Sequence, residues 1–371
     1  MGHALAGLFS WPFEVTIQHL EVQFSMKTGL ASLIPIVGLA LSTPLLAQAE
    51  SGPEAKAVVP VTVENFARAE SDAYFGAVVK KGGFGKFDHT RELAPVDAQT
   101  VIRLNRDTLY SAAVFDLDAA PVTITLPNAG GRFISMQVID EDHYTHGVIY
   151  EPGSRTLTRD SVGTRYVIIA IRILVDPSNP EDVEKVHALQ DAVEVRQEKS
   201  GSFTTPNWDP ASQKRVRDAL IVLADTLPDK NRMFGPKEQV DPVRHLLGAA
   251  SAWGGNPDKD AVYLNITLEQ NDGTTPYRLN VKEVPVDAFW SISVYNAEGY
   301  YTPNEENVYT LNNITAKKDA DGSITAQFGG DAKADNRLPI MKGWNYMVRL
   351  YRPHREILDG TWKFPEASPL R

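Results

Sequence analysis

The chain contains no cysteine, and that absence removes several chemistries at once: disulfide bonds, a thiolate nucleophile, a lipid anchor on cysteine and any thiolate metal site. The core must hold by burial alone, which 371 residues can supply. Positive charge is also in short supply. The 37 Lys and Arg stand against 47 Asp and Glu, a formal net charge of −10, which argues against nucleic acid or an anionic membrane surface as partner. No Gly-x-Ser-x-Gly elbow, phosphate loop, dinucleotide fingerprint, His-Glu-x-x-His or EF-hand loop occurs, and there are no heptads, low-complexity tracts or short internal repeats. Gly82-Gly83-Phe84-Gly85 lacks the Lys-Ser/Thr ending of a phosphate loop and reads as a helix terminator.

The long apolar run, Leu30 to Leu46, is broken by Pro35, Gly38 and Pro44. Met26-Lys27-Thr28 supplies a short basic start before it, and Ala47-Gln48-Ala49 supplies small residues where a signal peptidase reads them. The expectation is a signal peptide over about residues 26–49, cleaved after Ala49, with residues 1–25 an over-called start. The mature protein is then periplasmic or secreted, with no stable membrane anchor after cleavage.

Residues 50–60 are small, charged and proline-bearing, as in a loosely held terminus. From residue 61 to 178 the pattern is a leading helix followed by strands. Thr62 is placed to cap the helix, with Asn65 three residues on, and Phe66, Ala69, Ala73, Ala77 and Val78 share a face. Pro121 to Pro127 alternates with period two and is expected to form a hairpin with Gly131–Asp140, while Tyr166–Val175 is a strand buried on both faces. Residues 179–256 read as a helical bridge, with helices over 181–195, 210–226 and 241–252. From 257 to 371 the strand pattern returns, over 262–268, 277–281, 288–295, 323–329 and 344–351, with Asn271-Asp272-Gly273 as a turn and hairpin connections expected. The fold class is mainly β with helical segments: two antiparallel β-sandwiches joined by a helical region.

One stretch is unusually polar between strand-like flanks. Asn105, Arg106, Asp107, Thr108, Tyr110 and Ser111 bring a guanidinium, a carboxylate, an amide and three hydroxyls into seven residues. This run, with Asp142-His143-Tyr144-Thr145-His146, resembles the bacterial family of unknown function DUF1254. Farther on, Pro285-Val286-Asp287-Ala288-Phe289-Trp290-Ser291-Ile292-Ser293-Val294-Tyr295, Gly299-Tyr300, Asn307-Val308-Tyr309, Asn336-Arg337-Leu338-Pro339 and Leu358-Asp359-Gly360-Thr361-Trp362 resemble its usual companion, DUF1214. The resemblance implies an immunoglobulin-like first sandwich and a jelly-roll-like second one, and it implies no established activity. The chain departs from the family pattern at Arg337, where tryptophan is usual, and at His146, where polar amides are.

Three functions are open on these residues. The leading one is an enzyme doing hydrolytic or lyase-type acid/base chemistry on a small molecule without an organic cofactor, with Asp107 and His143 as catalytic groups and Asn105, Arg106, Tyr110, Tyr144 and Tyr295 holding substrate. The second is a non-catalytic module that binds a small molecule or carbohydrate. The third is a metal-dependent enzyme using His143 and His146, which face opposite ways on a strand and converge only on a turn. Against all three stands a structural role, in which Asp107, Thr108 and Ser111 satisfy backbone groups, Arg106 braces a domain interface and Tyr110 fills the core. Alternation places Trp290 with Ile292 and Val294 in a core and leaves Tyr295, beside Asn296, as the surface candidate. A homo-oligomer also remains open. Convergence of Asp107, His143 and Arg106 on a cleft marks an enzyme; a dry interface marks a scaffold.

Overall fold

A computed structural model of the chain describes residues 57–99 and 102–370. The expected signal segment lies outside the described residues. Among them, no helix is long and apolar enough to cross a membrane.

The N-terminal half is built from β1 (Val58–Val59), α1 (Phe66–Lys80), β2 (Asp88–His89), β3 (Thr108–Asp116), β4 (Val122–Leu126), β5 (Ile134–Asp140), β6 (Thr145–Ile149), β7 (Gly153–Leu157), α2 (Arg159–Val162) and β8 (Tyr166–Leu174). After these come α3 (Pro180–Asp191), β9 (Glu194–Gln197), β10 (Asn207–Trp208), α4 (Pro210–Ala224) and α5 (Pro242–Ser251). A five-stranded sheet, β2-β3-β8-β5-β6, faces a three-stranded one, β7-β4-β9. The β-branched run of β8 is buried along its whole length because both faces are covered. Val167, Ile169, Ile171 and Ile173 enter the core shared with β4, and Ile168 and Ala170 pack against Phe75 and Val78 of α1.

The expected hairpin between β4 and β5 does not form. β4 pairs with β7 and β9, whereas β5 pairs with β8 and β6. The reason lies in their faces: β4 alternates buried and half-buried residues and fits a one-sided outer sheet, while β5 is buried throughout and needs a two-sided position. The turn between them therefore carries the chain from one sheet to the other.

Helix starts follow local chemistry. Asn179, Asp209 and Asp241 each accept backbone N–H bonds at the start of α3, α4 and α5, and proline occupies the first turn each time. At α1 the expectation is corrected: Asn65 is the boundary residue, and its side chain accepts from the Thr62 N–H (2.8 Å) rather than capping the helix. The third helix ends at Asp191, short of 195, because Glu194–Gln197 is taken up as β9 beside β4. Helices α1 and α4 are tied by a buried ion pair, Arg217 to Glu70 at 2.6 Å.

The C-terminal half holds β11 (Ala261–Ile266), β12 (Tyr277–Val281), β13 (Trp290–Tyr295), β14 (Thr310–Asn312), β15 (Ile324–Phe328), β16 (Arg337–Leu338), β17 (Asn345–Tyr351), α6 (Arg355–Leu358) and β18 (Ser368–Pro369). They form two four-stranded sheets, β11-β17-β13-β14 and β16-β15-β12-β18, around one core. Hairpins are not the rule here. β11 and β12 go to different sheets, as do β12 and β13, and β16 lies parallel to β15. In the first of these sheets Trp290, Ile292, Val294, Tyr346, Val348 and Leu350 face the core. Ser291, Ser293, Tyr295, Met347, Arg349 and Tyr351 alternate with them and face the N-terminal half.

The Asn271-Asp272-Gly273 turn is real and tightly held: Asp272 accepts N–H bonds from Thr274 (2.8 Å) and Thr275 (2.7 Å). Gly273 sits at φ +82°, and a Cβ there would lie 2.4 Å from the Lys342 nitrogen. Gly273→Ala should therefore lower unfolding free energy by about 2 kcal/mol in urea denaturation; an unchanged midpoint would show that the turn is free to move.

Candidate functional site

Before β3 begins, the chain leaves its own sheet and lies across the polar face of β13 and β17. The Arg103 N–H donates to the Gly299 carbonyl (2.7 Å), and the Leu104 carbonyl accepts from the hydroxyls of Tyr295 (2.9 Å) and Tyr301 (2.8 Å). Asp107 follows, 1% exposed, and its two carboxylate oxygens accept from Ser291 Oγ (2.6 Å) and Thr310 Oγ1 (3.2 Å). Burial pushes this carboxyl up, and Arg349 together with the Ser291, Thr310 and Asn312 side chains holds it back. Arg349, also 1% exposed, donates to Ser293 Oγ (2.7 Å), the Tyr295 hydroxyl (2.7 Å) and the Arg103 carbonyl (2.9 Å).

The other residues of the run serve the same seam. Asn105 accepts the Asp107 N–H (2.9 Å), and its amide donates to Thr108 Oγ1 (3.2 Å), the Tyr110 hydroxyl (3.0 Å) and the Tyr351 hydroxyl (3.3 Å). Arg106 donates to the Ala94 carbonyl and lies 5.4 Å over the Tyr309 ring. Tyr110 is buried, with the Arg172 guanidinium 5.6 Å from its ring. Arg172 itself donates to Gln137 Oε1 (2.8 Å), and Asn256 donates to the Tyr263 hydroxyl (3.0 Å). Ser111 takes a separate course, meeting His89 Nδ1 at 2.7 Å and Gln190 at 3.2 Å. Tyr295, expected at the surface, is fully buried: its alternation places it on the polar face as read, but the N-terminal half covers that face.

The segment 140–146 lies elsewhere in this bonding scheme. His143 takes a left-handed backbone conformation (φ +70°), is 2% exposed, and accepts the Gly254 N–H at Nε2 (2.8 Å). Its ring stacks between His245 (5.3 Å) and Trp253 (5.2 Å). Burial, with His245 beside it, holds its pKa well below the usual histidine value. His146 is exposed and bonds Asp140 Oδ2 (2.9 Å), while Tyr144 stacks on His245 (4.4 Å) and is half-buried. His143 and His146 thus spend their Nε2 atoms on different partners, and among the described residues no group of three or more His, Cys, Asp and Glu is gathered to hold a metal. The shared metal site expected of these two rings is not formed, because the left-handed turn buries one while the other stays at the surface. Asp107, His143 and Arg106 share no hydrogen-bond partner: they bond Ser291, Gly254 and Ala94 respectively.

What does open at the seam is a groove of about 830 Å³. The N-terminal half contributes Arg132, Phe133, Tyr150 and Asp182, and the C-terminal half contributes Asp287, Asn312 and Arg352. Both of its guanidinia come already paired: Arg132 Nη1 meets Asp182 Oδ2 at 2.9 Å, and Arg352 meets Asp287 at 3.5 Å while lying 4.7 Å over the Tyr150 ring. Glu151 and Asp176 line the groove as further carboxylates. Asn312 lines this groove and also bears on the Asp107 carboxylate behind it.

Sequence reasoning missed Arg172, Gln137, Arg349, Thr310 and Asn256. A signal existed for two of them, since Arg172 and Arg349 each interrupt an otherwise apolar strand, and a cation there needs a buried partner.

Residues 84–160 match the model of DUF1254, a protein of unknown function, and residues 261–355 match that of DUF1214, described in the same words. A crystal structure of the VPA0106 protein from Vibrio parahaemolyticus is similar with a TM-score of 0.66 at 19% identity, over 83% of this chain and 98% of that one. Another, of an uncharacterized protein from Burkholderia cenocepacia, covers 83% of this chain and 87% of its own at 12% identity, with a TM-score of 0.47. The first is a likeness of fold. No curated protein matches.

Asp107→Ala leaves the buried Ser291 hydroxyl without its acceptor and removes a negative charge that bears on the buried Arg349, and should cost about 3 kcal/mol in urea denaturation. A wild-type midpoint in that variant would return Asp107 to a role in chemistry. His143, neutral when folded, takes up a proton on unfolding below its ordinary pKa of about 6.5, so its contribution is complete above that pH and is lost as pH falls through it. His143→Gln should accordingly flatten the fall of melting temperature between roughly pH 6.5 and 5 relative to wild type; parallel curves would refute the assignment.

Proposed function

Because the chain belongs to the family that joins a DUF1254 segment to a DUF1214 segment, whose description carries no activity, we propose from its own residues that it is a non-catalytic binding protein, exported, which holds a neutral polyhydroxylated small molecule of the carbohydrate class in the groove at the seam. The observation that carries this reading is the fate of Asp107. Its carboxylate is spent on Ser291 and Thr310 inside a buried interface, so the polar run is a clasp between the halves, and a groove open to solvent lies beside it.

The ligand class follows from the lining. Both guanidinia of the groove are already matched by carboxylates and Glu151 and Asp176 stand in excess, so it offers no spare cation to an acid, while it presents planar donors and acceptors side by side, the arrangement that suits vicinal hydroxyls. Phe133 and Tyr150 add apolar ring surface for the C–H face of a sugar. An acid/base enzyme at the polar run is less well supported, since a base must reach the proton it takes, and both Asp107 and the Nε2 of His143 are already engaged.

Calorimetric titration with a panel of neutral mono- and disaccharides should give saturable binding of at least one member. Asp287→Ala, which removes a groove carboxylate at an exposed position, should weaken it roughly tenfold with the melting temperature nearly unchanged. Absence of binding across the panel, or binding indifferent to Asp287, would sink the reading.

A further inference from the structure

A second groove, of about 600 Å³, runs beside β11, the edge strand of its sheet, between the loop joining α4 to α5 and the segment after α6. Its walls are largely apolar, with Phe234, Leu264, Ile266, Trp362 and Phe364 among them. Two lysines line it, Lys230 and the exposed Lys363. Lys230 lines the groove, is half-buried, and among the described residues makes no hydrogen bond or ion pair.

The carboxylates that share the groove do not serve it. Asp229 is held by Arg244 at 2.6 Å, Asp258 accepts the Arg232 N–H at 2.8 Å, and Glu366 is exposed beside the equally exposed Lys363. The charges that bear on Lys230 are Arg103, which opposes its protonation, and Asp225, which favours it; burial outweighs both and brings the ammonium down to about 8. Arg103 is itself 7% exposed, and its Nε has no partner. Two cations thus lie close in a poorly solvated place, each with a donor unspent. Such a place is short of an anion.

We propose that this groove binds an amphiphilic monocarboxylic acid, its carboxylate on the Lys230 ammonium and its aliphatic or aromatic body along Leu264, Ile266, Trp362 and Phe364. A neutral apolar ligand would bury the ammonium without pairing it, and a polyol would leave the apolar walls wet. The volume suits a drug-sized molecule. The site is separate from the groove at the seam and stands or falls independently of it.

The test is calorimetric titration of the whole chain with decanoate and 4-phenylbutanoate, each against its neutral amide. At pH 7 the acids should bind saturably and roughly tenfold or more tightly than the amides. Lys230→Met, with an unchanged melting temperature, should erase that preference. Lys230→Arg should keep it at pH 9, where the wild type loses it because the lysine has shed its proton. Lack of saturation by either acid, an acid preference surviving in Lys230→Met, or a preference in wild type that is the same at pH 7 and 9 would overturn the proposal.

Discussion

Two opposite charges are buried on facing surfaces of this protein without touching, and the seam between its halves is organised around them. Asp107 comes from the N-terminal half and Arg349 from the C-terminal half, each 1% exposed. Every ion taken out of water costs several kcal/mol unless hydrogen bonds and opposite charge replace its hydration. Here the replacement is crossed: Asp107 is satisfied by Ser291 and Thr310 of the other half, and Arg349 reaches back to the carbonyls of Arg103 and Leu104. An apolar seam would tolerate several relative positions of the two halves. This one accepts a single register, since any shift strands a charge.

A buried clasp and an active site are alike in composition for a physical reason. Both concentrate polar groups, and both require each group to have a partner. What separates them is whether a lone pair or proton remains for an outside molecule. In the run from Asn105 to Ser111 both oxygens of the buried carboxylate have a donor from the other half, and the groups around it, Asn105, Tyr110 and Tyr351, close on one another. Chemistry directed outward has to be sought where the packing stops.

Two of the grooves where it stops differ in character. At the seam both guanidinia are paired before any ligand arrives, so recognition there rests on hydrogen-bond geometry and ring surface. Beside β11 the walls are largely apolar and the Lys230 ammonium has no ion-pair partner among the described residues, so recognition there rests on charge and hydrophobic burial. Neither character is visible in composition alone, since a basic residue and aspartate line both grooves.

The order of residues by itself determined the local elements. Period-two alternation placed Trp290, Ile292 and Val294 on one face and Ser291, Ser293 and Tyr295 on the other, and Asp241-Pro242 marked the start of a helix, because these depend on neighbours within a few residues. The family was legible as well, through the motifs that the two matched segments carry. Only the tertiary structure decided which sheet β4 joins, that Tyr295 is covered, that His143 and His146 part company, and that Asp107 meets Ser291, 184 positions farther along the chain. Burial and charge compensation are properties of surfaces brought together by the whole fold. A polar side chain carries no local mark of whether its partner will be solvent, a ligand or the far half of its own chain.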